Sequence, residues 1–215
     1  MESNAILANT SRVTIELSNI CNLSHQHKLC PASLVKKGEK TILASTIVYH
    51  ILYTCKEIGF TGRLAFHRYN EPTCDPRLME FIDYAQQGCC GEVFIMTNGV
   101  YWTPSLEKEF RRRNVTLEIH DYSITKLNPI VLKIYDEPLI PCTKPCYAPL
   151  NDLTINCQGE IALCCRDWKN AHTFGSLYKH TLSELLMSPP VQECYAKLIK
   201  GERFLDLCTR CNLER

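Results

Sequence analysis

The chain has 215 residues, 45% of them hydrophobic, and a formal net charge of +1. That length suits one large domain or a domain with a smaller appendage, and so even a charge balance gives no electrostatic reason to expect nucleic acid or a membrane surface as partner. No apolar run approaches the roughly 18 residues of a membrane span, and Met1 to Thr10 lacks a basic segment followed by an apolar one, so a cytoplasmic location is expected.

From Val13 to about Asp136 strand and helix patterns alternate. Val13-Thr-Ile-Glu-Leu17 has the apolar–polar alternation of a half-buried strand. Leu43, Ile47, Ile51, Cys55 and Ile58 then recur as one helical face. Gly62 to Phe66 reads as a second strand, and Asp75-Pro76 supplies a cap and first-turn proline for a helix with Leu78, Phe81, Ile82 and Ala85 inside. Glu92 to Met96 is a third strand, ending in Thr97-Asn98-Gly99. Thr103-Pro104 repeats the cap-plus-proline device ahead of Leu106 and Phe110, and Val115–Ile119 and Ile130–Tyr135 are two more strands. Such alternation predicts a parallel sheet with helices outside it, whose chemistry sits in the loops after the strands. Those loops carry Cys21 to Cys30, His67 to Cys74, Thr97 to Gly99 and His120-Asp121.

The last third differs in kind. Leu153–Asn156 and Glu160–Leu163 flank Cys157-Gln-Gly159, a hairpin with a glycine turn. Thr181 is placed to cap a helix bearing Leu182, Leu185 and Leu186; Ser188-Pro-Pro190 restarts it with Val191, Cys194 and Leu198 inside, and Gly201 ends it. Of the 14 cysteines, Cys55, Cys89, Cys90 and Cys194 fall in core-like segments and read as small buried hydrophobes. Seven others cluster: Cys142-x3-Cys146, Gly159-x4-Cys164 and Cys208-x2-Cys211 near one end, Cys21 and Cys30 near the other. In a reducing compartment clustered cysteines serve as ligands or catalysts more often than as disulfides. The tail spacing suits a zinc site or an iron–sulfur cluster, and the second thiol group makes iron and redox chemistry the expectation.

Four pieces of the sequence resemble the radical S-adenosylmethionine enzymes, in the branch with a short C-terminal SPASM or "twitch" extension. They are Ile15-Glu-Leu-Ser-Asn-Ile-Cys21-Asn-Leu with Cys30-Pro31, Tyr69-Asn70-Glu71-Pro72, Thr97-Asn98-Gly99, and Cys146-x12-Gly159-x4-Cys164 with Cys208-x2-Cys211. The last is the most specific, since it matches the family's auxiliary-cluster pattern. The resemblance implies an α/β fold: a partial (β/α) barrel of about five to six parallel strands over residues 1–140, then a hairpin-helix extension over 141–215. It implies a [4Fe–4S] cluster on the Cys21–Cys30 loop, S-adenosylmethionine on its open iron, and a second iron–sulfur cluster on Cys146, Cys164, Cys208 and Cys211. Glu71, with Asn70 beside it, would help bind the amino group of S-adenosylmethionine, and Thr97, Asn98 and Gly99 would lie near its ribose. His67, Arg68, His120 and Asp121 stand at strand ends, where each could hydrogen-bond hydroxyl or phosphate groups of a bound molecule or equally be satisfied within the protein behind the site. Asn70-Glu-Pro and Thr97-Asn-Gly are also plain turn chemistry.

The N-terminal loop departs from the family's pattern, for the middle cysteine of the usual three is missing. His25 holds its place counted from Cys21 and His27 counted from Cys30. One of the histidines as ligand is the reading taken; Cys74 as third thiolate, or a loop with no cluster, remain open. Cys165, Cys142 or Cys157 could act as a thiol hydrogen donor, as a cysteine does in the family's epimerases. The function implied is hydrogen abstraction from a small polar substrate (sugar, aminocyclitol or nucleoside), giving epimerisation or dehydrogenation, with sulfur insertion a third option. An electron donor such as flavodoxin or ferredoxin would be a partner. The alternatives are a peptide-modifying enzyme of the same class and a non-catalytic, metal-stapled binding protein.

Overall fold

The computed structural model describes residues 6–7, 9–24, 32, 39–120 and 143–211. The expected strand Ile130–Tyr135 lies outside them, as do His25, His27, Cys30, Asp121 and Cys142. The barrel segment runs β1 (Arg12–Ile15), α1 (Ser45–Glu57), β2 (Arg63–Ala65), α2 (Leu78–Ala85), β3 (Glu92–Thr97), α3 (Pro104–Arg112) and β4 (Thr116–Ile119). The tail adds α4 (Ala148–Asn151), β5 (Asp152–Ile155), β6 (Glu160–Ala162), β7 (Thr173–Ser176), α5 (Leu182–Met187), α6 (Pro189–Ile199) and α7 (Asp206–Thr209).

Among the described residues, one open sheet of seven strands, in the order β4-β3-β2-β1-β5-β6-β7, runs through both segments. Neighbours from β4 to β5 are parallel, and β6 and β7 follow antiparallel. Among the described residues the fifth parallel strand is β5, from the hairpin: Arg12 pairs with Asp152 and Ile15 with Ile155. The hairpin extends the barrel's own sheet.

The two faces of the sheet differ. Alternate residues of a strand point to opposite faces. Val13, Ile15, Leu64, Val93 and Ile95 are buried in one core with Ile51 and Leu52 of α1, Phe81 and Ile82 of α2, and Phe110 of α3. Each such side chain contributes about 1.5–3 kcal/mol of burial. The other face carries Arg12, Thr14, Arg63, Glu92 and Asp152, paired in register as Arg12–Asp152 and Arg63–Glu92 (2.6 Å). Parallel sheets are normally apolar on both faces; here the row at the strand starts is charged and paired, while Ala65 and Phe94 further along the same face are buried and apolar.

Local signals are realised with one adjustment. Thr103 Oγ1 accepts from Leu106 N, and Thr181 with Glu184 forms a capping box. Asp75 does not cap α2 directly: its carboxylate accepts from Arg77 N, and the helix begins at Leu78. Pro76 and Arg77 form a turn before the helical ladder starts.

Candidate functional site

Three strand ends bring the N-terminal candidates together. After β2, Glu71 is 3% exposed and its backbone N–H donates to Ile20 O at 2.9 Å, fixing it beside the cysteine loop. Its Oε1 accepts from Thr73 N (3.0 Å), Thr73 Oγ1 (2.6 Å) and Thr97 Oγ1 (2.6 Å), and Oε2 accepts from Asn98 N at 2.7 Å. The carboxylate therefore organises the loop after β3 and keeps acceptor capacity on Oε2. Gly99 N donates to Thr97 Oγ1 at 3.2 Å, and its φ of +73°, in the left-handed region, turns the chain that follows. So held, Asn98 points its amide at the loop after β1, with Nδ2 lying 3.8 Å from Cys21 Sγ and 2.7 Å from Asn22 Oδ1.

These residues fit an iron–sulfur cluster with S-adenosylmethionine. The amide N–H aimed at Cys21 is the kind of outer hydrogen bond that tunes a ligating sulfur. Asn22 Nδ2 is buried with no hydrogen-bond partner among the described residues, a donor that a bound group would satisfy. Cys74 is half-buried against the same loop: burial raises its thiol, and the Asn22 backbone N–H lies against the sulfur and works the other way. Asn70 serves the turn, its Oδ1 accepting from Arg68 N at 3.0 Å and its Nδ2 donating to Phe66 O at 3.3 Å.

The tail thiols gather at the far end of the sheet. Because β6 runs antiparallel to β5, Cys164 and Cys165 return to the start of the parallel strands. Cys146, Cys164, Cys165, Cys208 and Cys211 line one cavity with Ala148, Pro149, Leu163, Leu198 and Leu207. Cys146 N donates to Leu198 O at 2.8 Å, and Arg203 Nε donates to Lys144 O at 2.9 Å, so the end of α6 and the chain after it hold the first thiol. Cys208 sits in α7, and Cys211 N donates to Cys208 O at 3.2 Å. Burial pushes the Cys208 thiol up to about 12, and burial followed by the Cys165 charge raises Cys164 strongly. Without a metal these thiols hold their protons; binding one releases them. Among the described residues no three Cys, His, Asp or Glu side chains meet closely enough to hold a single ion. Five thiols around an apolar space include the four that a four-iron cluster needs.

The remaining candidates are placed as follows. Cys165 also borders a second cavity of about 580 Å³ at the starts of the parallel strands, with Arg12, Arg63, Glu92 and Asp152, and so faces both. Cys157 is buried, and its thiol is pushed up to about 12 by burial first and the Glu16 carboxylate second. His120 is tied by its backbone N–H to Thr97 O at 2.8 Å, while its Nε2 lies 2.5 Å from Glu118 Oε1. His67 accepts from Met96 N on Nδ1 at 3.1 Å; burial lowers it to about 4, so the ring is neutral near pH 7. Glu16, not singled out from the sequence, is buried at the end of β1 with Arg68. Its only signal is a charge in a strand's inward position.

Residues 146–212 match the model of the SPASM family, an iron–sulfur cluster-binding domain. Among solved structures, BtrN in complex with AdoMet and 2-DOIA matches with a TM-score of 0.77 at 19% identity, covering 95% of this chain and 93% of that one. Selenomethionine BtrN in an open conformation matches with a TM-score of 0.73 at 19% identity, covering 95% and 92%. No curated protein sequence matches the chain. The chain therefore has the fold of BtrN and carries a SPASM-type domain at its C-terminus. Both support its resemblance to radical S-adenosylmethionine enzymes. Among the described residues no helix is long and apolar enough to cross a membrane.

Proposed function

We propose that this chain is a radical S-adenosylmethionine oxidoreductase that dehydrogenates a small polar substrate of the sugar, aminocyclitol or nucleoside type. The observation that carries it is the meeting of Cys21, Glu71 and Asn98 from three neighbouring strand ends. The match to a structure solved with AdoMet and 2-DOIA supports the cofactor and a small ligand. A [4Fe–4S] cluster with S-adenosylmethionine supplies, when bound, a 5′-deoxyadenosyl radical able to take a hydrogen atom from the substrate.

The chain's own residues prepare that chemistry. Cys21, Cys30 and one of His25 and His27 are the proposed ligands of the N-terminal loop; Cys146, Cys164, Cys208 and Cys211 are those of the tail. Glu71 holds Thr97 and Asn98 in place and can accept one more donor on Oε2. Asn98 directs its amide at the Cys21 sulfur. Arg12, Arg63, Glu92 and Asp152 offer paired charges to hydroxyl or amino groups in the cavity at the starts of the parallel strands. An electron donor such as flavodoxin or ferredoxin is the proposed protein partner.

Anaerobically reconstituted protein, given reductant and S-adenosylmethionine, is expected to release 5′-deoxyadenosine, and Cys21→Ala to release none. Release that persists in Cys21→Ala defeats the assignment of the loop. A second reading, epimerisation, draws on Cys165, a thiol bordering both cavities. Product mass separates the two: dehydrogenation removes two hydrogens, whereas epimerisation in deuterium oxide keeps the hydrogen count and takes up one deuterium.

A further inference from the structure

One buried guanidinium joins the two candidate sites. Arg68 follows β2, and its side chain is 2% exposed; that of Glu16, at the end of β1, is 4% exposed. Arg68 Nη1 lies 3.3 Å from Glu16 Oε2 and donates to Asn170 Oδ1 at 2.8 Å, while Nη2 donates to Asp167 O at 2.8 Å. Glu16 in turn accepts from Tyr69 N at 3.3 Å and from Cys157 N at 3.2 Å. The guanidinium carbon stands 4.8 Å over the Tyr69 ring, and the Tyr69 hydroxyl donates to Cys165 O. Asp167 completes the far side, its two oxygens accepting from Ala171 N (2.9 Å) and His172 N (2.8 Å).

Each of these contacts crosses or braces the same seam. On one side is the loop that leads through Tyr69 and Asn70 to Glu71; on the other is the loop that starts with Cys164 and Cys165. A buried ion pair is a poor source of net stability, because desolvating both charges offsets their attraction and an apolar pair of equal volume does as well. What an apolar pair lacks is direction. The planar fork of arginine reaches a carboxylate, an amide and a backbone carbonyl at once, and so fixes both loops in register.

We propose that Arg68 is a positioning residue that holds the Cys164–Asn170 loop against the Tyr69–Glu71 loop, so that the tail thiols keep one placement relative to the cofactor loop. Calling those loops a cluster loop and a cofactor loop rests on the function proposed above; the placement itself does not.

The chain reports on this through its own cysteines. Cys55 and Cys89 are 0% exposed in the core and register global opening, whereas Cys165 registers the loop. In native-state alkylation read by mass spectrometry, Arg68→Met is expected to raise labelling of Cys165 by about tenfold while Cys55 and Cys89 stay protected. Arg68→Lys, which keeps a charge for Glu16 but cannot span Asn170 and Asp167 together, is expected to release Cys165 as well. In reconstituted protein the auxiliary cluster's paramagnetic spectrum and midpoint potential are expected to shift in both variants. Labelling of Cys165 within about twofold of wild type, with the core cysteines protected, overturns the proposal. Should Arg68→Met expose Cys55 and Cys89, Asn170→Ala decides, since it removes one loop contact and leaves the ion pair. Raised Cys165 labelling with a closed core supports the positioning role, and unchanged labelling overturns it. Absence of iron from reconstituted wild type would count against the proposed function, while the alkylation result still decides the role of Arg68.

Discussion

Replacing Glu71 by glutamine removes one acceptor and one charge without changing shape. In the native loop Oε2 accepts from Asn98 N at 2.7 Å, and Oε1 accepts from two hydroxyls and the Thr73 N–H. The threonine hydroxyls can rotate, but the two backbone N–H groups cannot, so the new amide NH2 must face one of them. Loss of a hydrogen bond to a charged group costs about 1.5–3 kcal/mol, and a buried unsatisfied donor about 1–3 kcal/mol. Taking the overlap of the two ranges, Glu71→Gln is expected to destabilise the Thr97–Gly99 loop by about 1.5–3 kcal/mol. If that loop must be ordered to bind S-adenosylmethionine, affinity falls by about 12- to 150-fold. Calorimetric titration of S-adenosylmethionine into reconstituted wild type and variant measures this, with Tm recorded for both. A Kd within about threefold of wild type, together with an unchanged Tm, refutes the organising role.

Two further outcomes test the packing around the sites. Burial raises Cys55 from 9.0 to about 12, so its contribution to stability is complete below pH 9 and is lost as pH rises from there towards 12. Denaturant titrations at pH 9 and pH 10 are expected to show wild type losing about 1 kcal/mol more than Cys55→Ala over that unit; equal slopes would mean the thiol ionises freely in the fold. Gly201 stands at φ +84°, where an added Cβ would lie 2.1 Å from Thr143 O. Gly201→Ala is therefore expected to cost about 2–4 kcal/mol and to lower iron at the tail site by displacing Cys146, whereas Gly59→Ala, in open space at φ +66°, costs only about 1 kcal/mol. Similar Tm values for the two variants would contradict this.

Strands and helices were legible where local periodicity carries them. The strands expected at Val13, Gly62, Glu92 and Val115 appear within a residue or two, and the threonine caps at Thr103 and Thr181 form as read. The strand β7, Thr-Phe-Gly-Ser, escaped notice because a register shift and a central glycine erase its alternation. The pairing of β1 with β5 also left no local mark, since it joins residues about 140 positions apart and depends on the whole sheet. Of the site, Glu71, Asn98 and Cys21 were visible as motif residues, but their shared network was not. Glu71 was expected to contact the cofactor; its hydrogen bonds show that it organises the Thr97–Gly99 loop. Arg68, read as a possible hydroxyl or phosphate binder, spends its Nη donors on Glu16, Asn170 and Asp167. A long cationic side chain at a strand end gives no hint of which loop it will meet.

Iron and sulfide determination after anaerobic reconstitution, read with the paramagnetic spectrum before and after S-adenosylmethionine, bears most directly on the central claim. About eight irons and eight sulfides per chain are expected, with one of two cluster signals changed by S-adenosylmethionine and that signal absent from Cys21→Ala. Zinc in place of iron, or about four irons lost only in Cys208→Ser, would contradict the account.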